Sequence, residues 1–218
     1  MGGITYYNRQ LEKGRSALDI NHRFVAHSTY ELPFGRGRRF MNSGGWKNAL
    51  LGGWELAWIQ SMQTGPPLTV SFAGSPNRYL PGSARPIQIL PNDQAQTPNW
   101  DIGPNRFPTS AQNPYLNIAA FQYPAAYQAG TLGRNTLTGP GIMYPQASLS
   151  KAWTVWERGK FILRWDVNNV SKSPNYALPN STYDTRNPGV FGRITSTRGG
   201  FSDIGARFHH VLVGRLEW

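Results

Sequence analysis

The chain has 218 residues and no cysteine, which excludes a disulfide framework, a thiolate metal centre and a cysteine nucleophile. A mean hydropathy of −0.47 argues against a helical membrane protein, because a spanning helix needs about 20 consecutive apolar residues. The formal net charge of +11 suggests an anionic partner, but the cations are scattered and the sequence contains no nucleic-acid-binding motif.

The N-terminal part of the chain predicts two strands joined by a basic link. Residues 1–7 lack the basic and apolar regions of a signal peptide, so an exported protein would need its signal upstream. Alternating apolar residues predict strands at about 22–32 and about 53–73. Gly65-Pro66-Pro67 should bend or divide the second strand, because proline cannot donate to a ladder. Between them, residues 46–51 could form one helical turn on a short-turn side.

The clearest alternation runs through residues 159–170, after a strand predicted at about 146–155 and a tight link at 156–158. Arg164, Asp166 and Asn168 fall on one face of this strand, where we expect water. The opposite face is apolar and consists of Phe161, Leu163, Trp165 and Val167.

The last predicted strand, about 203–218, repeats this pattern and ends on an aromatic residue. One face carries polar and charged residues, including His209, Arg215 and Glu217. The other face carries Phe208, Leu212, Gly214, Leu216 and Trp218.

The connections between these strands alternate in length. The link at 156–158 is tight, and 33–51 falls on the same short-turn side although it is longer than a hairpin. The connections at 74–145 and 171–202 are long, rich in Pro, Gly and Asn, and weakly periodic. Long loops of this kind are rare in compact soluble domains. An antiparallel barrel wall has short turns on one side of a membrane and long loops on the other. The abundant Trp and Tyr residues also fit the two aromatic belts of such a wall.

Six segments resemble, in order, the C-terminal barrel of Oar-like TonB-dependent receptors. The likeness runs from about residue 11 to the end, although the terminal residue is Trp218 and many relatives end in Phe. The segments are ELPFGRGRRF at 31–40, LGGWEL at 51–56, QTGPPLTV at 63–70, GRNTLTGPG at 133–141, DVNNV at 166–170 and FGRITST at 191–197.

The resemblance implies an all-β fold, namely an antiparallel transmembrane β-barrel fragment with long extracellular loops. Residues 1–218 would supply about five or six C-terminal strands of a barrel with about 22 strands. It implies the outer membrane as location and energy-coupled uptake of an unidentified solute as function. The expected partners are outer-membrane lipid, the barrel-assembly machinery and the rest of the receptor. A signal peptide, a regulatory-like β-sandwich and a plug are expected outside this chain, so TonB would act only through that missing part.

Two candidate sites follow, each with a plainer interpretation. If the Phe161 face meets lipid, Arg164, Asp166 and Asn168 point into the lumen, where they could contact a plug or solute or simply form a solvated lattice. The resemblance implies that Phe208, Leu212, Gly214, Leu216 and Trp218 form a barrel-assembly signal. They could equally belong to an ordinary soluble edge strand.

Other functional classes receive less support from the residues. His209 and His210 lie on opposite faces of a strand and cannot jointly bind one metal ion. No nucleophile elbow, zinc-protease motif or phosphate loop is present, so we expect no enzyme activity and no cofactor. Two alternatives stay open: a soluble β-sandwich that binds carbohydrate or another surface, and a basic nucleic-acid-binding protein. Our preferred interpretation includes no nucleic-acid partner.

Overall fold

The computed structural model describes residues 9–42, 45–72, 85–96, 114–157, 159–198 and 208–218. Within these ranges no helix has the length and apolar character needed to cross a membrane. The helices are α1 (Trp46–Leu51) and α2 (Asn92–Ala95), with 3-10 turns at Arg9–Glu12 and Ile118–Ala120. The strands are β1 (Arg23–Glu31), β2 (Trp54–Gln63), β3 (Pro67–Leu68), β4 (Ser71–Phe72), β5 (Ile87–Gln88), β6 (Phe121–Gln122), β7 (Leu137–Thr138), β8 (Ile142–Trp156), β9 (Gly159–Asn168), β10 (Thr182–Tyr183) and β11 (His209–Glu217).

The chain divides into two compact units. We call Arg23–Met62, Met143–Pro174 and Gly199–Trp218 the sheet unit. We call Met1–His22, Gln63–Ile142 and Asn175–Arg198 the loop unit. The sheet unit holds most of the long predicted strands, and the loop unit is built largely from the segments predicted to be long connections.

The long strands form one five-stranded sheet in the order β1-β2-β8-β9-β11. The five strands have the same order in the sheet as along the chain, as in an up-and-down meander. β9 pairs antiparallel with both β8 and β11. The amide of Leu32 donates to the carbonyl of Trp54 at 2.9 Å and that of Thr64 to His22 at 3.0 Å, so β1 and β2 are antiparallel too. The predicted antiparallel sheet is confirmed.

The register separates two faces of this sheet. Leu149 pairs with Trp165, which pairs with Leu212, and Phe161 pairs with Leu216. We call this side the apolar face. Because side chains alternate along a strand, the residues between them share the other side, which we call the polar face. The predicted separation of Phe161 and Trp165 from Arg164, Asp166 and Asn168 is confirmed.

Local chemistry explains where the long strands end. Asn169, directly after β9, has a φ of 51°, a left-handed conformation that Asn tolerates better than most residues. Its side-chain amide donates to the carbonyl of Ser173 at 2.9 Å and closes the turn. After β2, the segment at Gly65-Pro66-Pro67 divides the predicted long strand, and the chain continues as the short strands β3 and β4. That prediction is confirmed, as is the helical turn at Trp46–Leu51.

β8 is longer than predicted, since it starts at Ile142 and not at about Gln146. Pro145 lies inside it and cannot donate a ladder bond, but its carbonyl accepts from the amide of Val170 at 3.0 Å. The sequence pattern hides this extension because proline usually marks a strand boundary.

The loop unit is held by three two-stranded ladders. β3 pairs with β7 and β5 with β6 in antiparallel fashion, whereas β10 pairs with β4 in parallel. Around these ladders lies a hydrophobic core contributed by distant segments of the chain. Its buried residues are Leu68, Val70, Ala95, Tyr115, Leu116, Ala120, Phe121, Leu132, Leu137, Tyr176, Tyr183, Phe191 and Ile194.

Aromatic rings dominate the centre of this core. Phe191 packs edge-on against Phe121 at 5.6 Å and against Tyr183 at 5.7 Å between ring centroids. Tyr123 and Tyr183 lie 4.9 Å apart. Such tilted and edge-to-face pairs add stabilisation beyond their buried area. The described parts of the long connections are therefore folded structure with an interior of their own.

Candidate functional site

Two polar surfaces, one in each unit, are candidates for contact with a solute, and we describe each within its own unit. The first is the polar face of the sheet. On adjacent strands Gln146, Asn168 and His209 stand side by side. The amide of Gln146 donates to Asn168 Oδ1 at 2.8 Å, and Asn168 Nδ2 lies 3.1 Å from His209 Nε2. These contacts form a hydrogen-bonded row across three strands.

A second row follows one pleat further along the polar face. Ser148 Oγ donates to Asp166 Oδ1 at 2.6 Å, and Arg164 Nε donates to Asp166 Oδ2 at 3.0 Å. Arg164 is exposed and Asp166 is half-buried, so this ion pair contributes little stability. The guanidinium group of Arg164 in this row is exposed. The structure thus brings the predicted residues Arg164, Asp166 and Asn168 together on one face, in contact with Ser148, Gln146 and His209.

The apolar face carries the second predicted set, on and beside the edge strand β11. Leu212 is 67% exposed, Leu216 is 53% exposed and Trp218 is 91% exposed. Gly214 pairs with Leu163 and leaves room against the ring of Phe161. Phe208 precedes the strand, with Lys172 Nζ lying 4.7 Å from its ring centroid. The alternation predicted for about 203–218 is confirmed over β11, residues 203–207 lie outside the described residues, and the role in assembly stays a prediction.

The second surface belongs to the loop unit and is a half-open pocket of about 420 Å³. Two chain segments form its walls, and backbone bonds of 2.8 Å tie them together between Asn180 and Arg193 and between Gly192 and Asn180. The lining residues are Leu178, Pro179, Asn180, Val190, Arg193 and Thr195.

Arg193 gives this pocket its charge. Its Nη1 atom donates to the carbonyl of Gly189 at 3.1 Å, which fixes the guanidinium plane. In the described part of the chain its Nε atom is buried and has no hydrogen-bond partner. A buried donor without an acceptor is costly. The pocket combines apolar residues with a guanidinium group, which suits a solute that carries an acceptor or a negative charge.

Buried polar contacts give the loop unit a fixed shape. Arg85 is almost fully buried and donates to Glu12 Oε1 at 2.7 Å and to the carbonyl of Leu11 at 3.1 Å. Burial lowers the pKa of Arg85, against the opposing effect of Glu12. Asn135 exchanges hydrogen bonds with the hydroxyl of Thr69 and donates to the carbonyl of Arg15 at 2.6 Å. These bonds connect parts of the chain that lie far apart in sequence.

Three core tyrosines are protected from solvent in the same unit. Burial raises the pKa of Tyr115, Tyr176 and Tyr183 above the ordinary value. The hydroxyl of Tyr115 donates to the carbonyl of Thr138 at 2.7 Å, and that of Tyr183 donates to Phe121 at 3.0 Å. Their neutral forms are thus part of the folded core.

Metal binding finds no support in the geometry. Among the residues that the structure describes, no three His, Asp or Glu side chains cluster closely enough to hold an ion. His209 lies in the polar row with Asn168, whereas His210 lies on the apolar face with its ring 6.2 Å from Phe208. The two rings point to opposite sides, as the sequence predicts.

Sequence reasoning missed Lys151, Arg85 and Arg193. Lys151 is a buried cation on the apolar face, where the alternation gives no warning of a charge. Arg85 and Arg193 lie in segments without periodicity, and only their distant partners reveal their roles. A single arginine next to proline or glycine carries no distinguishing signal in one sequence.

Comparison with known proteins adds one positive result. The profile of a family described as an outer membrane beta barrel domain matches residues 2–207. No curated protein and no solved structure matches the chain significantly.

Proposed function

We propose, from the premise that the chain belongs to the outer membrane beta barrel family, that it serves in energy-coupled uptake of a solute by a TonB-dependent receptor. Family membership locates the protein in the outer membrane. The finer assignment to an Oar-like receptor rests on the six segment resemblances between residues 31 and 197. In this proposal the sheet is barrel wall and the loop unit is the solute-capturing surface.

The two faces of the sheet support the wall assignment. A barrel in lipid needs an apolar exterior and tolerates a polar lumen. The exposed apolar face meets the first requirement, with Leu212, Leu216 and Trp165 all exposed. The hydrogen-bonded rows at Asn168 and Asp166 suit the second. Arg164, Asp166 and Asn168 would then face a plug or a passing solute.

The observation that carries the proposal is the independent core of the loop unit. Loops that serve only as connections do not need a buried aromatic interior, whereas binding surfaces gain specificity from a rigid scaffold. The pocket with Arg193 is held by this scaffold. It would take a small solute with an apolar body and an anionic or acceptor group.

The remaining partners follow from the same proposal. β11 is an edge strand of the sheet, and an unpaired edge can be received by another sheet edge during assembly. The barrel-assembly machinery would bind it through Phe208, Leu212, Gly214, Leu216 and Trp218. TonB would act through a plug region outside this chain. In this proposal the chain has no catalytic role, no cofactor and no nucleic-acid partner.

Uptake can be tested in the native bacterium by following many solutes at once. A strain that lacks the gene and its parent are grown in a defined mixture of scarce anionic nutrients, and solute loss from the medium is followed by mass spectrometry. We expect the deletion to abolish depletion of at least one solute. Disruption of the TonB system should produce the same loss.

The control separates transport from envelope damage. Both strains should take up a small solute that passes through general porins at equal rates. Equal depletion of every nutrient by the two strains would refute the uptake proposal. If the deletion strain fails to deplete the solute but the TonB-deficient strain depletes it fully, the transport proposal stands and its energy coupling through TonB is refuted.

A further inference from the structure

The described parts of the link between β1 and β2, residues 33–42 and 45–53, form a surface that the transport proposal does not use. We call it the basic link. It lies at the end of the sheet where β8 turns into β9 and where β11 ends. Its helix α1 exposes 73% of Trp46, 56% of Leu50 and 49% of Leu51. Helix α1 has only 6 residues, so half of them expose a large apolar side chain.

The sheet holds the C-terminal end of α1 by three side-chain donors. Trp153 Nε1 donates to the carbonyl of Ala49 at 2.7 Å, and Trp54 Nε1 donates to that of Leu50 at 3.0 Å. Lys151 Nζ donates to the carbonyl of Gly52. The last carbonyls of a helix lack partners within the helix and attract cations. The sheet satisfies two of them, at Ala49 and Leu50, and also the carbonyl of Gly52, the residue directly after the helix.

These donors belong to the apolar face. Trp153 stacks on Phe161 with centroids 5.7 Å apart and meets Trp54 edge-on at 6.2 Å. Lys151 Nζ lies 5.1 Å from the Trp153 ring centroid and 5.7 Å from that of Trp54. Helix α1 is therefore fixed to the side of the sheet that meets lipid in a barrel of this family.

The rest of the basic link is tied to the same end of the helix. Asn48 Oδ1 accepts the amide of Arg36 at 2.8 Å. Gly52 approaches Gly35 so closely that a Cβ on Gly52 would lie 2.8 Å from the Gly35 Cα. The helix and the Arg36 segment therefore form one local structure.

The charge of the basic link has a single sign. Residues 33–53 contain Arg36, Arg38, Arg39 and Lys47 and no Asp or Glu. Arg38 pairs with Glu31 outside the link, and Arg36, Arg39 and Lys47 are exposed. Arg39 and Lys47 lie 5.4 Å and 5.8 Å from the ring centroids of Phe40 and Trp46. Aromatic rings with adjacent cations are typical of segments at a membrane interface.

We infer that the basic link is a binding site for anionic phospholipid on the short-turn side of the membrane, which is the periplasmic side in bacterial barrels. Trp46, Leu50 and Leu51 enter the acyl region of that leaflet. Arg36, Arg39 and Lys47 bind the lipid phosphates. A phospholipid surface fits both halves of the site, because it offers negative charge directly above hydrocarbon.

Lipid selectivity tests this inference. The protein is reconstituted in phosphatidylcholine vesicles that contain traces of spin-labelled phosphatidylglycerol or spin-labelled phosphatidylcholine, and the motionally restricted fraction of each is measured. We expect the wild type to prefer phosphatidylglycerol. In the triple variant Arg36→Gln, Arg39→Gln, Lys47→Gln, the ratio of restricted phosphatidylglycerol to restricted phosphatidylcholine should fall. We expect a decrease of roughly two- to fivefold for each cation removed, until no preference remains.

A matched control removes cations from elsewhere. The variant Arg9→Gln, Lys13→Gln, Arg186→Gln removes the same number of charges at exposed positions outside the basic link and should retain the preference. Equal lipid selectivity of wild type and basic-link variant would overturn the inference, as would an equal loss in the control.

Depth measurement provides a second test that does not depend on folding of the charge variant. Because the chain has no cysteine, Leu50→Cys accepts a single spin label. In vesicles we expect that label to be accessible to oxygen and shielded from a water-soluble relaxant, and a label at Thr185→Cys to show the reverse. Full exposure of the Leu50→Cys label to the water-soluble relaxant would overturn the inference.

Discussion

The two units solve the same packing problem in opposite ways. Every buried hydrophobic side chain that the structure describes lies in the loop unit. The described residues of the sheet unit that are buried are Gly35, Gly52, Pro145, Lys151, Gly159 and Asn169. The loop unit therefore folds like a water-soluble protein, around its own interior. The sheet unit leaves its apolar groups exposed, as expected for part of an outer-membrane barrel wall.

This contrast predicts that a substitution that creates a cavity in the loop unit will have the largest effect on the free energy of unfolding. Leu116 is fully buried, so Leu116→Ala should lower the free energy of unfolding of this unit by about 2–5 kcal/mol. The matched change Leu212→Ala, on the exposed apolar face, should cost well under half as much because Leu212 is 67% exposed. Hydrogen exchange of the reconstituted protein measures both. Comparable losses at the two positions would contradict the difference between the units.

High pH should lower the stability of the loop unit but not that of the sheet unit. The folded-state pKa of Tyr115, Tyr176 and Tyr183 is raised by burial. Their stabilisation is complete below the unfolded value of 10.0 and is lost as pH rises toward the folded values. We expect a loss of at most about 1.4 kcal/mol per pH unit for each tyrosine.

Phenolate absorbance and hydrogen exchange follow this change in parallel. The loop unit should lose protection above pH 10.0, while β8, β9 and β11 keep theirs. Replacing all three tyrosines by Phe should flatten the dependence. Equal loss in the sheet would argue against a core restricted to the loop unit.

The attachment of α1 should depend on Lys151. The change Lys151→Met leaves the carbonyl of Gly52 without its ammonium donor and should cost about 1–3 kcal/mol. Lys160→Met, on the exposed polar face, removes the same charge without touching α1. The mobility of a spin label at Leu50→Cys reports the difference. A label equally immobile in both variants would show that Trp54 and Trp153 suffice.

The smallest expected effect on stability belongs to the pocket. Arg193→Gln removes the guanidinium group and its bond to Gly189 but leaves the aromatic core intact, so the free energy of unfolding should change by at most about 1 kcal/mol. Uptake of the captured solute should fall about tenfold, equivalent to about 1.4 kcal/mol of binding. Arg186→Gln is the control, since Arg186 is exposed and pairs with Asp184 at 2.9 Å. An unchanged uptake in Arg193→Gln would place solute capture elsewhere.

The sheet could be predicted from the order of residues alone. Alternation along residues 159–170 and 203–218 predicted the two faces, because a period of two is a local property of extended chain. The division at Gly65-Pro66-Pro67 and the helical turn at Trp46–Leu51 were equally local. For the candidate site, this was enough to group Arg164, Asp166 and Asn168 on one face.

The form of the long connections, by contrast, depends on contacts between distant parts of the chain. The core of the loop unit joins Leu68, Leu116, Tyr183 and Ile194 from separate segments. The pocket depends on pairing between Asn180 and Arg193, and the anchoring of α1 depends on Lys151, about 100 residues away. Contacts over such separations are fixed by packing and by the satisfaction of buried donors. Neither leaves a periodic trace in the segments that make them.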